Sequence, residues 1–432
     1  MFFHSGYFPT PQFFRVLSRA YKNHIEGSRG IAIRIQCIHR FQDVIFEYIH
    51  NRFNAIIFSL FPVFYSKYLY PISNKLSIYT LPIYLKKDIK TWLPFTRYTN
   101  IMSYVLGTMN IAYPHSSCKD ATIQNYRDII EAYIQSCLKM GETPILDTAY
   151  YYGNTETEKI LGEIMEYGKL STQPKIASKA NPWLNNDFTN GVLGQLNKRG
   201  IEHQITTSLN HLKLDCLDIF YLHCPDHETS IIETLETCDD LWRREKFTHW
   251  GLSNYSQYEL QKALFMCDEF GYTPPKYYQG MYNLICRGVE EVFPLLNEFN
   301  MEFWGYNPLA GGLLTGKYYK ERNSNSDSRF KGNAIYQNIF WKEPILQELE
   351  SFFENDVELC TEYSFQWLKN YSMMKNARAN DKIILGVSSL DQFRKNMNYL
   401  NNPSLEKYTD EVVFGLNNLY DLVKPWSPSY FY

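Results

Sequence analysis

No stretch of this 432-residue sequence is long and apolar enough to suggest a membrane span. The longest largely apolar run, residues 55–65, is broken by Pro62 and followed by Lys67, whereas a crossing helix needs about 20 residues. There is no cysteine framework either. Nine cysteines are scattered singly with no C-x-x-C, which argues against a disulfide scaffold or zinc ribbon and for a reducing, cytoplasmic setting. Charge of one sign is also lacking: 43 Lys/Arg against 46 Asp/Glu leave a formal net charge of −3, so no overall field draws the chain to nucleic acid or an anionic membrane. Three well-known motifs are incomplete. No G-x-G-x-x-G follows a first strand, so a Rossmann site is not indicated. The glycine-rich stretch ending in Lys317 has Tyr318 where a Walker A loop needs Ser or Thr. His223 and His227 are four apart, but they straddle Pro225 and lack the H-E-x-x-H glutamate, so no metal site is expected.

The near-even charge balance averages two unlike segments. Residues 1–100 carry 13 Lys/Arg and 4 Asp/Glu, and the remainder carries 30 and 42. Residues 1–97 are rich in Phe, Tyr and Ile but hold no sustained helical or alternating period, and their first acid, Glu26, follows Arg15, Arg19 and Lys22. They read as an N-terminal extension, either poorly ordered or a gene-model artefact. A mitochondrial presequence is the other reading, and it would move the protein out of the cytoplasm.

Residues 98–432 have a different texture. Over the whole chain a hydrophobic fraction of 45% with 21% charge supports a sizeable core. Strand-like runs at 104–107, 144–149, 175–180, 216–223, 249–254, 277–282, 302–307 and 382–387 alternate with helical patterns. Ile123, Tyr126, Ile130, Ile134, Cys137 and Leu138 share one helical face that Gly141 closes. Thr155 with Glu158, Ser256 with Glu259, and Ser389 with Gln392 have capping-box spacing. Eight strands alternating with helices predict an α/β fold, a closed (β/α)8 TIM barrel.

In such a barrel the chemistry lies at the carboxyl ends of the strands. Those ends carry Asp147, Lys179, His223, Ser253 with Asn254, Gln279, and Tyr306 with Asn307. Each alone is more often a cap or turn residue; as a set they are more informative. Asp147 and Lys179 end neighbouring strands, and Tyr152 follows Asp147 in the same mouth. A phenol with pKa near 10 is a poor acid at neutral pH, and a nearby ammonium lowers that value. A carboxylate holds the ammonium charged, giving a proton donor suited to carbonyl reduction, while His223 positions the carbonyl oxygen. For a phosphate there are two candidates. One is Asn307, Pro308, Leu309, Ala310, Gly311, Gly312, Leu313, Leu314, Thr315, Gly316 and Lys317, whose glycines open the backbone to an anion. The other is Gly386, Ser388 and Ser389, opening a helix with Arg394 and Lys395 nearby, where a solvated basic face is the competing reading.

Five ordered motifs now carry a resemblance: Asp147-Thr148-Ala149-Tyr150-Tyr151-Tyr152-Gly153, Ser178-Lys179, Leu222-His223, Gly251-Leu252-Ser253-Asn254-Tyr255 and Tyr306-Asn307-Pro308-Leu309. From about Tyr104 to its end the chain resembles the aldo-keto reductase superfamily. It looks most like the aflatoxin-aldehyde (succinic semialdehyde) reductase branch, through Lys179-Ala180-Asn181-Pro182-Trp183, His223-Cys224-Pro225-Asp226-His227, Tyr278-Gln279-Gly280-Met281-Tyr282-Asn283 and Phe340-Trp341-Lys342-Glu343. The resemblance implies a catalytic tetrad of Asp147, Tyr152, Lys179 and His223, NADPH as donor, an aldehyde as substrate, and a homodimer. It implies that Ser253, Asn254 and Gln279 bind the nicotinamide carboxamide and that Tyr306 stacks on the ring. The stretch from Asn307 to Lys317, with Arg329, would line the pyrophosphate. Gly386, Ser388, Ser389, Gln392, Arg394 and Asn396 would hold the adenosine 2′-phosphate and adenine. Tyr336 and Tyr432 fall at substrate-facing positions.

Two departures bear on substrate choice. Ile339 and Tyr432 stand where the branch has arginines that face carboxylate-bearing substrates, which implies weaker preference for succinic semialdehyde than is usual in the branch and relatively better use of neutral or aromatic aldehydes. A reading from another class is a redox-sensing NADPH-binding module resembling the potassium-channel β subunits, which share the barrel and tetrad and carry variable N-terminal extensions.

Overall fold

The computed structural model describes residues 103–111, 123–187, 191–316, 338–354, 356–376, 380–401 and 408–431. The expectations for residues 1–97, and those for Lys317, Arg329, Tyr336 and Tyr432, lie outside the described residues.

Eight parallel strands close into a barrel in chain order. They are β1 (Ser103–Gly107), β2 (Ile145–Asp147), β3 (Lys175–Ala180), β4 (Leu217–Leu222), β5 (Phe247–Ser253), β6 (Tyr277–Met281), β7 (Glu302–Tyr306) and β8 (Lys382–Gly386). Every expected strand is present, and the ring closes where Ser103 to Gly107 pair with Lys382 to Gly386. The period of two divides the strands between two cores. Val105, Ile145, Ala177, Ile219, Tyr221, Tyr277, Trp304 and Ile384 fill the inside, while Leu106, Leu146, Ile176, Phe220, Leu222, Trp250, Tyr278 and Phe303 pack outward. With both faces covered, the strands read as nearly continuous apolar runs. Gly251 is required by this filling: a Cβ there would lie 2.6 Å from the Tyr221 ring, which crosses the interior from the adjacent strand.

The surrounding helices are α1 (Ile123–Met140), α2 (Glu156–Tyr167), α3 (Lys198–Leu212), α4 (Ile231–Arg243), α5 (Gln257–Phe270), α6 (Phe293–Glu298), α7 (Glu343–Phe353), α8 (Val357–Asn370), α9 (Leu390–Asn401) and α10 (Asp410–Val423). On α1 the buried stripe is Tyr126, Ile129, Ile130, Tyr133, Ile134 and Cys137. Ile123 and Leu138, expected on that face, are each 48% exposed because they lie at its edges. Ser256 and Glu259 form the full reciprocal box on α5, and Gly271 closes that helix with φ 67°. At α9, Ser389 Oγ accepts from Gln392 N, but the Gln392 side chain accepts from Ser388 N and Oγ rather than from Ser389. The third expected box fails. Thr155 takes a left-handed conformation, φ 73°, with no capping bond, and Glu158 turns into the protein.

Candidate active site

The polar strand ends gather at one mouth of the barrel. Asp147 pairs in register with Gly107 and Ala177, so its carboxyl shares the interior face with Lys179. Lys179 Nζ donates to Asp147 Oδ2 at 2.7 Å and to the Thr148 carbonyl at 2.7 Å. The other carboxyl oxygen, Oδ1, accepts from Gln279 Nε2 at 2.9 Å. Lys179 is 1% exposed and Asp147 2%, so both charges are removed from water and each depends on the other. Burial pushes the Lys179 ammonium down from its ordinary range, and the Asp147 charge works against that loss.

Tyr152 enters from the turn that follows β2. Gly153 and Asn154 have φ of 57° and 53°, and Thr155 extends this left-handed run, which turns the chain sharply between Tyr152 and α2. Glycine and asparagine tolerate that conformation best, which explains the Gly153-Asn154 pair. A matching turn after β3 places Asn185 and Asn186 at φ 55° and 58°. Asn186 joins the two turns, donating to Asn154 Oδ1 at 3.3 Å and accepting from Asn181 Nδ2 at 2.9 Å.

The Tyr152 ring centre lies 5.3 Å from Lys179 Nζ and 5.8 Å from the His223 ring, edge-on to it. His223 follows β4, held by its N–H on the Ala180 carbonyl at 2.8 Å. Burial first, and then the Lys179 cation, push the imidazole well below its ordinary range, so at neutral pH it is uncharged. His223 Nδ1 is buried with no hydrogen-bond partner among the described residues. Trp183 stacks obliquely on His223 at 5.4 Å and meets Tyr151 at 5.0 Å. Trp183 had no role from strand ends, since it lies beyond one, in the loop after β3. The aromatic cluster around His223 is what brings it to the site. His227 turns away to Glu259, 2.7 Å off.

The expected cofactor residues divide into three groups. Ser253, Asn254, Gln279 and Tyr306 come together: Asn254 Nδ2 donates to the His223 carbonyl at 2.8 Å and to Ser253 Oγ at 3.1 Å, and Tyr306 OH donates to Asn254 Oδ1 at 2.7 Å. Amide and hydroxyl groups of this kind suit a carboxamide, whose oxygen and nitrogen need one donor set and one acceptor set. Asn307, Pro308, Leu309 and then a 3-10 turn over Ala310–Thr315 follow β7. Asn307, Ala310, Gly311, Gly312 and Gly316 all have positive φ, from 48° to 109°. Leu313 and Leu314 are buried and anchor that turn, while Thr315 Oγ1 donates to the Gly312 carbonyl at 2.7 Å. The third group ends β8. A Cβ on Gly386 would meet nothing nearer than Asn110 Nδ2 at 4.0 Å, so the backbone there is open to a bulky neighbour. Ser388, Ser389 and Gln392 shape the start of α9, Arg394 is exposed, and Asn396 is buried. Open backbone, a helix start and an exposed guanidinium fit an anionic nucleotide.

Known proteins are similar to this chain in sequence. The model of the aldo/keto reductase family matches residues 105–412. Aflatoxin B1 aldehyde reductase member 2 of Rattus norvegicus is 37% identical over 341 residues, covering 76% of this chain and 87% of its own. Aflatoxin B1 aldehyde reductase member 4 of Homo sapiens is 36% identical over 314 residues, covering 69% and 91%. An aldo-keto reductase of Pseudocercospora fijiensis is 29% identical over 296 residues, covering 66% and 96%. Sequence and fold agree: this chain belongs to the aldo/keto reductase family of oxidoreductases.

Proposed function

We propose that the chain reduces aldehydes, and some ketones, to alcohols with NADPH, and that Tyr152 donates the proton. The observation that carries this reading is the fully buried Lys179–Asp147 pair beside the Tyr152 ring. A cation held there favours phenolate over phenol, which makes the hydroxyl a stronger acid. When bound, reduced nicotinamide supplies the hydride that the carbonyl carbon accepts. The Tyr152 hydroxyl protonates the carbonyl oxygen, and neutral His223 orients that oxygen by a hydrogen bond. Asp147 keeps Lys179 charged through the step, so the phenolate left behind faces a cation.

Ser253, Asn254 and Gln279 would hold the nicotinamide carboxamide, with Tyr306 against the ring. The loop from Asn307 to Lys317, with Arg329, would line the pyrophosphate. Gly386, Ser388, Ser389, Gln392, Arg394 and Asn396 would take the adenosine 2′-phosphate and adenine, which is what favours NADPH over NADH. Tyr336 and Tyr432 would face the substrate. Ile339 packs half-buried against the core and carries no charge, which supports neutral or aromatic aldehydes over succinic semialdehyde. We also infer a reducing compartment and a homodimer.

The relatives bear reductase names, which supports an enzyme over a channel-associated module. The test is NADPH oxidation with 4-nitrobenzaldehyde. Many turnovers per molecule are expected, with a lower kcat/KM for succinic semialdehyde and for NADH. A single turnover would favour the module, and a strong preference for succinic semialdehyde would sink the substrate assignment.

A further inference from the structure

The proposed chemistry leaves one fully buried acid without a role. Glu158 lies in the first turn of α2, shortly after Tyr152, and is 0% exposed. A first-turn glutamate ordinarily caps its own helix or faces water. This one turns inward, where Oε1 accepts from Ser178 Oγ at 2.5 Å and Oε2 from Ser208 Oγ at 2.7 Å. Ser178 immediately precedes Lys179 on β3, so its hydroxyl faces the helices while the lysine faces the barrel interior. Helix α3 brings Ser208 within reach because Gly162 lets α2 approach closely: a Cβ at Gly162 would lie 2.0 Å from the His211 carbonyl oxygen. The carboxyl therefore ties together the helix that continues the Tyr152 turn, the strand that carries Lys179, and α3.

We propose that Glu158 is a positioning residue for the reaction: its carboxyl latches the Tyr152 turn to the Lys179 strand, and its negative charge holds the proton on the Lys179–Tyr152 pair. This rests on the role given to Tyr152 above.

Few charged or titratable groups face Glu158. Lys179 acts on it from β3 and is itself paired with Asp147. Tyr150 comes from the loop after β2, its N–H on the Lys179 carbonyl at 3.1 Å, with His203 of α3 edge-on to its ring at 6.3 Å. Burial pushes the Glu158 carboxyl up to about 7 against the pull of the two hydroxyls and Lys179, so it is an anion at alkaline pH. Removing a negative charge beside a pair that loses a proton at high pH eases that loss, whichever partner gives it up. Glutamine at this position keeps the shape, an acceptor for one serine and a donor for the other, and removes only the charge.

The test measures kcat/KM against pH with 4-nitrobenzaldehyde for wild type, Glu158→Gln and Ser178→Ala, with thermal melts and NADPH binding followed by fluorescence. Tyr152 is also titrated without turnover by 13Cζ-tyrosine NMR, assigned by its absence in Tyr152→Phe. Glu158→Gln is expected to bind NADPH as wild type does, with its alkaline limb and the Tyr152 titration moved to lower pH by about half a unit or more. Ser178→Ala should lower kcat several-fold while KM and the alkaline limb hold. An unmoved limb in Glu158→Gln overturns the charge role, and wild-type kcat in Ser178→Ala overturns the latch. Should Glu158→Gln not fold, the Ser178→Ala/Ser208→Ala double variant removes both bonds and keeps the carboxyl, and wild-type kcat there overturns the proposal. Activity retained by Tyr152→Phe would instead overturn the underlying role of Tyr152, whatever Glu158 does.

Discussion

The lower and upper halves of the barrel interior are filled by opposite chemistries. Below, Val105, Ile145, Ala177, Ile219, Tyr277, Trp304 and Ile384 pack as an apolar plug. Above, strands of the same barrel carry Asp147, Lys179, Ser253 and Gln279, buried yet polar, each with a hydrogen-bond partner. The plug stabilises the closed sheet by removing apolar surface from water. The polar layer stabilises nothing by its burial, since desolvated charges at best recover what they lose. Variants of the two layers should therefore fail differently.

The sharpest separation is expected from Lys179→Met. It strands the Asp147 carboxyl without its cation, which costs about 3–5 kcal/mol of stability, and removal of the tuned acid should lower kcat/KM by about 10²–10⁴. Denaturant unfolding and steady-state kinetics read the two losses separately. Trp304→Ala in the plug should cost a similar 3–5 kcal/mol, roughly, by cavity formation, while kcat of the folded fraction stays near wild type. Equal loss of kcat in both would erase the distinction drawn between the layers.

A smaller effect tests the buried acid outside the barrel. Glu158 is raised from 4.5 to about 7 in the folded protein. The folded state thus binds its proton more tightly, so this group's contribution is complete below pH 4.5 and is lost as pH rises through about 7. The full span is worth about 3 kcal/mol as an order of magnitude. Wild type should therefore lose stability relative to Glu158→Gln across that window, measured by paired urea melts. A constant difference would mean the carboxyl does not titrate there. The smallest expected effect is surface capping: Glu259→Ala should cost about 1 kcal/mol with no change in kcat.

What the sequence made legible follows from which interactions are local. All eight strands could be read because both of their faces are apolar, and a run such as Leu217 to Leu222 needs no partner to announce itself. The ends of those runs located Asp147, Lys179, His223 and Gln279 for the same reason. Thr155 and Glu158 mark the limit. Their spacing matches a capping box, yet Glu158 bonds to Ser178 and Ser208, 20 and 50 residues away in the chain. No local rule foresees that, because both serines come from other elements and the close approach at Gly162 is a tertiary contact. Trp183 escaped for a related reason, since its neighbours His223 and Tyr151 come from other loops.

The most direct test of the central claim is Tyr152→Phe, assayed for NADPH oxidation with 4-nitrobenzaldehyde alongside a binding titration of NADPH. Aldehyde turnover should fall by about 10²–10⁴ with the dissociation constant for NADPH nearly unchanged. A variant that kept most of its turnover would contradict a phenol proton donor beside Lys179, and with it the mechanism proposed for this barrel.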